Sequence, residues 1–184
     1  MKALLVIDLQ KWFLEVGSEE KLHLVHGLIS KTNELIQYFE ANKLPVIKIQ
    51  TVHKADKSTW NQWALENNAG RLLEGSKEAE YSPEVHVTEN ETVITKTRLS
   101  AFLRTNLENT LRQMQCDEVV ICGYSTDNCV GQTAIDAYEY DFKVTLAGEA
   151  ILGTQIEYGK LMLDSLKRRF EIIPKTNKEI FESK

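Results

Sequence analysis

The chain has 184 residues, 42% of them hydrophobic and 27% charged, with a formal net charge of −5 and a pI near 5.5. That balance suits one globular domain spanning residues 1–184, with a core large enough to need no staples. It excludes a general nucleic-acid binder, because no basic run or RNA-binding aromatic pattern offsets the acidity, and no apolar run approaches the ~18 residues of a membrane-spanning helix.

The opening "MKALLVIDLQ" turns acidic too soon for a signal peptide and reads as a first strand over residues 2–8. Residues 22–42 follow with helical spacing, Leu24, Leu28, Leu35 and Phe39 among the apolar positions. "LPVIKIQT", residues 44–51, is β-branched and predicts a second strand. A long polar excursion runs from Val52 to Asn90 and carries Trp60, Trp63 and Tyr81. A third strand is predicted at 91–96 and a helix at 103–114, then a fourth strand at 116–123 and a helix at 129–140. A fifth strand at 142–148, a helix at 155–170 and a short last strand at 171–174 complete the pattern. Continuous apolar strands that alternate with helices indicate a parallel sheet covered on both faces. Right-handed crossovers make that an α/β fold, a three-layer α/β/α sandwich on a six-stranded parallel sheet.

Ligands of such sheets sit beyond the carboxyl ends of the strands. The polar groups there are Asp8, then Gln50 and Thr51, then Lys96, then the turn "GYSTDNC" with Cys129 just inside the next helix. A helix start capped by Asp127 or Asn128, with a lysine nearby, is expected to favour a thiolate at Cys129. Asp, Lys and Cys together make a workable base, electrostatic stabiliser and nucleophile. Each also has a bland role: a salt-bridging acid, a solvated loop lysine, a small core thiol. Cys122, inside "VVICG", reads as core, and Cys116 as a helix-exit or surface residue. The three cysteines form no CxxC pair and leave one unmatched, which with the absence of an export pattern predicts a reducing, cytoplasmic setting.

The segments "LLVIDLQKWF", "ITKTRLSAF" and "GYSTDNCVGQTAIDAYEYDFKV" resemble, in that order, three motifs of the isochorismatase-like cysteine hydrolases. That superfamily includes nicotinamidases, N-carbamoylsarcosine amidohydrolases and carbamoyl or ureido amidases. The resemblance spans residues 1 to about 170 and implies roles for matching positions: Asp8 as catalytic acid/base, Lys96 as the lysine, Cys129 as the nucleophile. It also implies a non-proline cis peptide at Tyr124–Ser125, an oxyanion hole from the Ser125 and Cys129 amides, and strand order 3-2-1-4-5-6. A homo-oligomer, dimer or tetramer, is a further implication.

The sequence departs from the nicotinamidase pattern where a metal would bind. In "IQTVHKADKSTW" His53 stands where that pattern has an aspartate, and Ala55 where it has a histidine. His53 and Asp56 have i,i+3 spacing, yet two candidate ligands without a third predict no metal and no cofactor. Trp12, Phe13, His53, Trp60 and Tyr124 are the expected substrate-pocket residues, with Arg98 and His53 as candidates to orient a charged substituent. Trp60 and Trp63 are spaced to share a helix face, as a lid or as an anchor.

The expected function is metal-independent hydrolysis of a C–N bond in a small amide, carbamoyl or ureido compound through a thioester. Two alternatives stand beside it: an isochorismatase-type vinyl-ether hydrolase that does not use Cys129, and a small-molecule-binding or redox-sensing protein on the same fold.

Overall fold

The protein is described by a computed structural model covering residues 1–15, 19–89 and 91–183. Asn90, the end of the polar excursion, and Lys184, the end of the expected domain, lie outside the described residues. Six parallel strands form one sheet in the order β3-β2-β1-β4-β5-β6. They are β1 (Lys2–Ile7), β2 (Val46–Thr51), β3 (Thr92–Lys96), β4 (Glu118–Tyr124), β5 (Lys143–Leu152) and β6 (Pro174–Lys175). The helices are α1 (Lys11–Leu14), α2 (Glu19–Ala41), α3 (Gln62–Glu66), α4 (Leu107–Gln113), α5 (Gly131–Glu139), α6 (Ile156–Phe170) and α7 (Asn177–Glu182).

β1 is central because it is apolar on both faces. Ala3, Leu5 and Ile7 join Val119, Ile121, Leu107, Ala134 and Leu166 in one core. Leu4 and Val6 join Val120, Leu28, Ile36, Phe39 and Ile180 in the other. Alternation along the strand therefore serves two helical layers, α4 to α6 on one side and α2 with α7 on the other. Among the described residues no helix is long and apolar enough to cross a membrane.

Several boundaries differ from the sequence expectations. Leu24 is on the solvent side of α2, and Val25 takes the buried position instead. The last strand forms at Pro174–Lys175 rather than 171–174, because Glu171 caps α6 in the left-handed region at φ 57°. α7 was not anticipated, although "TNKE" is a capping-box pattern: the Thr176 side chain accepts from the Glu179 amide, and Glu179 reaches back to the Thr176 amide. Cys116 does follow a helix exit but is buried rather than on the surface.

Two features connect this frame to the strand ends. Gly123 pairs with Ile7 in register and has φ 117°. A Cβ there would lie 2.1 Å from the Ile7 carbonyl oxygen. The excursion between β2 and β3 is tied back by Gln10. Its amide nitrogen donates to the Thr51 and Ala79 carbonyls, and its oxygen accepts from the Thr51 amide. Tyr81 adds hydroxyl bonds to the Val6 and Ile49 carbonyls.

Candidate active site

Sheet order reverses beside β1, so the ends of β1, β3 and β4 converge on one cleft. Asp8 follows β1 with φ 51°, and its amide donates to the Ile49 carbonyl of β2. Lys96 ends β3, and its ammonium lies 2.8 Å from Asp8 Oδ2. The same Nζ reaches Thr51 Oγ1 at 2.7 Å, the Arg98 carbonyl at 3.1 Å and Cys129 Sγ at 3.4 Å. Thr51 in turn donates its hydroxyl to Asp8 Oδ1 at 2.9 Å. Asp8 and Lys96 are 0% and 1% exposed, so this is a fully desolvated ion pair with a thiol beside it. Oδ2 takes no directional hydrogen bond among the described residues, only the close ammonium. The structure thus brings Asp8, Lys96 and Cys129 together around one ammonium.

The turn that presents Cys129 is not built as expected. Ser125, not Asp127 or Asn128, precedes the first helical residue, and the chain makes a wide turn over Thr126–Val130 before α5 begins. The Ser125 carbonyl accepts from the Asn128 and Val130 amides, both at 3.0 Å, which sets that wide turn. Asp127 is taken up elsewhere: its carboxylate accepts from the Thr154 amide at 2.7 Å and from the Thr154 hydroxyl. The Tyr124–Ser125 peptide is cis.

Electrostatics also correct an expectation. Burial pushes the Cys129 thiol up to about 12, and Asp8 adds to the push while Lys96 only partly offsets it. Desolvation and the adjacent carboxylate thus outweigh the ammonium and the helix start, and the resting sulfur is a thiol. Burial takes Cys122 up to about 12 as well. For Lys96 burial pulls downward, but Asp8 and Cys129 outweigh it and hold the ammonium above the usual lysine value.

The raised thiols carry a stability consequence. Above the ordinary thiol value of 9.0 the unfolded chain releases protons that the folded chain keeps. Stability is therefore expected to fall as pH rises from about 9 toward 12, by about 1.4 kcal/mol per pH unit for each such thiol. Lys96, whose raised value lies above 10.5, contributes in the same sense at higher pH. Urea midpoints at successive pH values check this, and Cys122→Ala should lessen the slope. A flat profile would show that both thiols ionise as readily in the folded state.

The cleft has a volume of 350 Å³ and is lined by Phe13, Thr51, His53, Lys96, Arg98, Tyr124, Ser125 and Cys129, among others. Phe13 and Tyr124 form one wall, their ring centroids 5.8 Å apart. Trp12 is not in the lining; its ring lies under the Arg71 guanidinium at 5.4 Å. Trp60 is absent from it too, and it does not share a helix face with Trp63. Asn61 caps α3 by accepting from the Ala64 amide, so the helix starts after Trp60. Trp60 instead donates to the Lys54 carbonyl and packs so closely on Gly70 that a Cβ there would lie 2.0 Å from the ring. Both partners belong to the excursion itself. Trp63 is 63% exposed.

Sequence reasoning missed Asn61, Thr97, Leu99, Asn128 and Thr154 as lining residues. Thr51 had a signal, its place at a strand end; Thr154 had none, because β5 runs further than its apolar pattern suggests.

A metal of the kind the nicotinamidase pattern implies does not fit these residues. His53 Nδ1 faces the Thr59 carbonyl at 3.2 Å, and Asp56 is occupied by the Ser58 amide and hydroxyl in its own exposed turn. Among the described residues no three His, Cys, Asp or Glu side chains gather to hold an ion.

The site is thus a buried acid, a lysine and a thiol gathered at the strand ends of an α/β sheet. A family model for the isochorismatase domain matches residues 2–178, and the chain belongs to that family of hydrolases. It is 29% identical over 154 residues to a probable inactive nicotinamidase of Arabidopsis thaliana, covering 80% of this chain and 79% of that one. The fold is similar to an isochorismatase family protein from Desulfovibrio vulgaris (TM-score 0.87, 24% identity, 97% and 95% of the two chains covered). It is also similar to the pyrazinamidase of Pyrococcus horikoshii in complex with zinc (TM-score 0.79, 26% identity, 95% and 98% covered).

Proposed function

We propose that the chain is a metal-independent cysteine hydrolase that cleaves a C–N bond of a small amide, carbamoyl or ureido compound through a thioester on Cys129. The observation that carries this reading is one ammonium, Lys96 Nζ, in contact with both the Asp8 carboxylate and the Cys129 sulfur on the floor of a small cleft. A thiol pushed up to about 12 is a poor nucleophile until something removes its proton. Asp8, held by the same ammonium that touches the sulfur, is the group assigned to do so.

In the first step Sγ bonds to the substrate carbonyl carbon while its proton passes to Asp8. Lys96 keeps the sulfur and carboxylate charges balanced as the proton moves. The carbonyl oxygen becomes an oxyanion, held by the Ser125 and Cys129 backbone amides. Collapse breaks the C–N bond as Asp8 returns the proton to the leaving nitrogen. Water then gives a proton to Asp8, attacks the thioester carbonyl, and the released thiolate recovers its proton.

The test is ammonia release from a panel of primary amides, ureides and carbamoyl acids. Turnover of at least one compound is expected, unchanged by EDTA and reduced about 1,000-fold or more in Cys129→Ala. Ammonia release that survives Cys129→Ala would sink the thioester.

A further inference from the structure

Arg98 lies two residues beyond Lys96 and lines the same cleft. Its Nη1 donates to the Thr59 carbonyl at 2.9 Å and to the Thr97 carbonyl at 2.6 Å. Those two acceptors hold the guanidinium in place from one edge and neutralise nothing. Its other N–H groups, part of a fork that matches a carboxylate, have no protein acceptor among the described residues.

Charge in the cleft is unbalanced as a result. Lys96 is matched by Asp8, but none of the residues lining the cleft is an acid, and among the described residues Arg98 forms no ion pair. His53 does not add a second cation at neutral pH. Burial pushes its imidazole down; the Thr59 carbonyl opposes this, while Arg98 and Lys96 reinforce it. A chain of net charge −5 thus keeps one uncompensated cation inside its reaction cleft.

We propose that Arg98 forms a carboxylate-binding subsite, so that the substrate is a small amide or ureide that also carries a carboxylate. The identity of the bond cut rests on the hydrolase reading above; the anion preference does not. Size agrees with it: a 350 Å³ cleft holds one small molecule. Arg98 and Cys129 line the same cleft, so one small molecule can meet both. A charge-assisted fork in a partly dry cleft is expected to favour the anion by about 10- to 100-fold.

The first experiment needs no known substrate. Iodoacetate and iodoacetamide differ only by carboxylate against amide, and mass spectrometry gives the alkylation rate of each at Cys129. The iodoacetate-to-iodoacetamide rate ratio is expected to exceed that of 2-mercaptoethanol by about 10-fold. It should fall to the free-thiol value in Arg98→Gln and be partly kept in Arg98→Lys. Heat unfolding of both proteins with succinate or succinamide, at equal ionic strength, provides a reading independent of the thiol. Succinate should raise the wild-type Tm more than succinamide does, and should lose that advantage in Arg98→Gln.

A Cys129 ratio equal to that of 2-mercaptoethanol, or one indifferent to Arg98→Gln, overturns the subsite. If Cys129 reacts with neither reagent, the unfolding pair decides: a succinate effect lost in Arg98→Gln upholds the subsite and its absence overturns it. Anion preference without turnover of any amide would retire the hydrolase reading and keep the subsite. Turnover of neutral amides without anion preference would do the reverse.

Discussion

Lys96→Met is expected to cost about 3–5 kcal/mol of stability and to abolish turnover, because it leaves the Asp8 carboxylate buried without its cation. The side chain is 1% exposed and Asp8 is 0% exposed, so no water is at hand to replace the ammonium. Thr51 would still donate to Oδ1, but Oδ2 would lose its close cation. The double variant Asp8→Asn, Lys96→Met removes both charges and should recover most of the lost stability while remaining inactive. Urea unfolding of the two single variants and the double variant measures the coupling directly. If Lys96→Met unfolds at the wild-type midpoint, the contact is not an ion pair and the assignment of roles at the site fails with it.

The second large effect is expected at Gly123→Ala. The left-handed backbone there is unfavourable for alanine, and the added Cβ would meet the Ile7 carbonyl oxygen at 2.1 Å and its amide nitrogen at 2.7 Å. Both are backbone atoms of the central strand and cannot swing aside as a side chain could. A loss of about 4 kcal/mol, or failure to accumulate as folded protein, is the expected outcome. Any variant that does fold should show impaired activity, since Asp8 follows Ile7. Gly27→Ala is the matched control: it sits in α2 with nothing within 4 Å of the new Cβ and should be neutral or stabilising by up to ~1 kcal/mol. Equal stability of the two variants would show that β1 and β4 tolerate separation at this point.

The centre of the sheet was legible because β1 and β4 are buried on both faces and so are apolar almost without interruption, as "KALLVI" and "EVVIC" are. That same property made Asp8 and Lys96 stand out as charges at strand ends. The shape of the Cys129 turn was not legible. Asp127 and Asn128 have the right chemistry for a cap, but Asp127 is engaged by Thr154, which comes from a loop 27 residues further on. The state of the thiol was misjudged for a related reason. Helix direction and neighbouring charge can be read from order along the chain, whereas the depth of burial that pushes Cys129 to about 12 depends on packing around the cleft. Trp60 and Trp63 looked like partners on one helix until Asn61 proved to be the cap between them.

The clamp made by Gln10 and Tyr81 has a consequence for how such a protein can change over generations. Both residues grip the excursion near its return, at Ala79 and Tyr81, and fasten it to the backbone of β1 and β2 rather than to the reacting groups. The stretch between that grip and the end of β2 supplies His53 and Asn61 to the cleft, while Asp8, Lys96 and Cys129 come from the sheet side. Substitutions, insertions or deletions in the stretch can therefore reshape what enters the cleft without disturbing the atoms that react. The part of the cleft that this stretch contributes can thus diverge at a different rate from the strand ends.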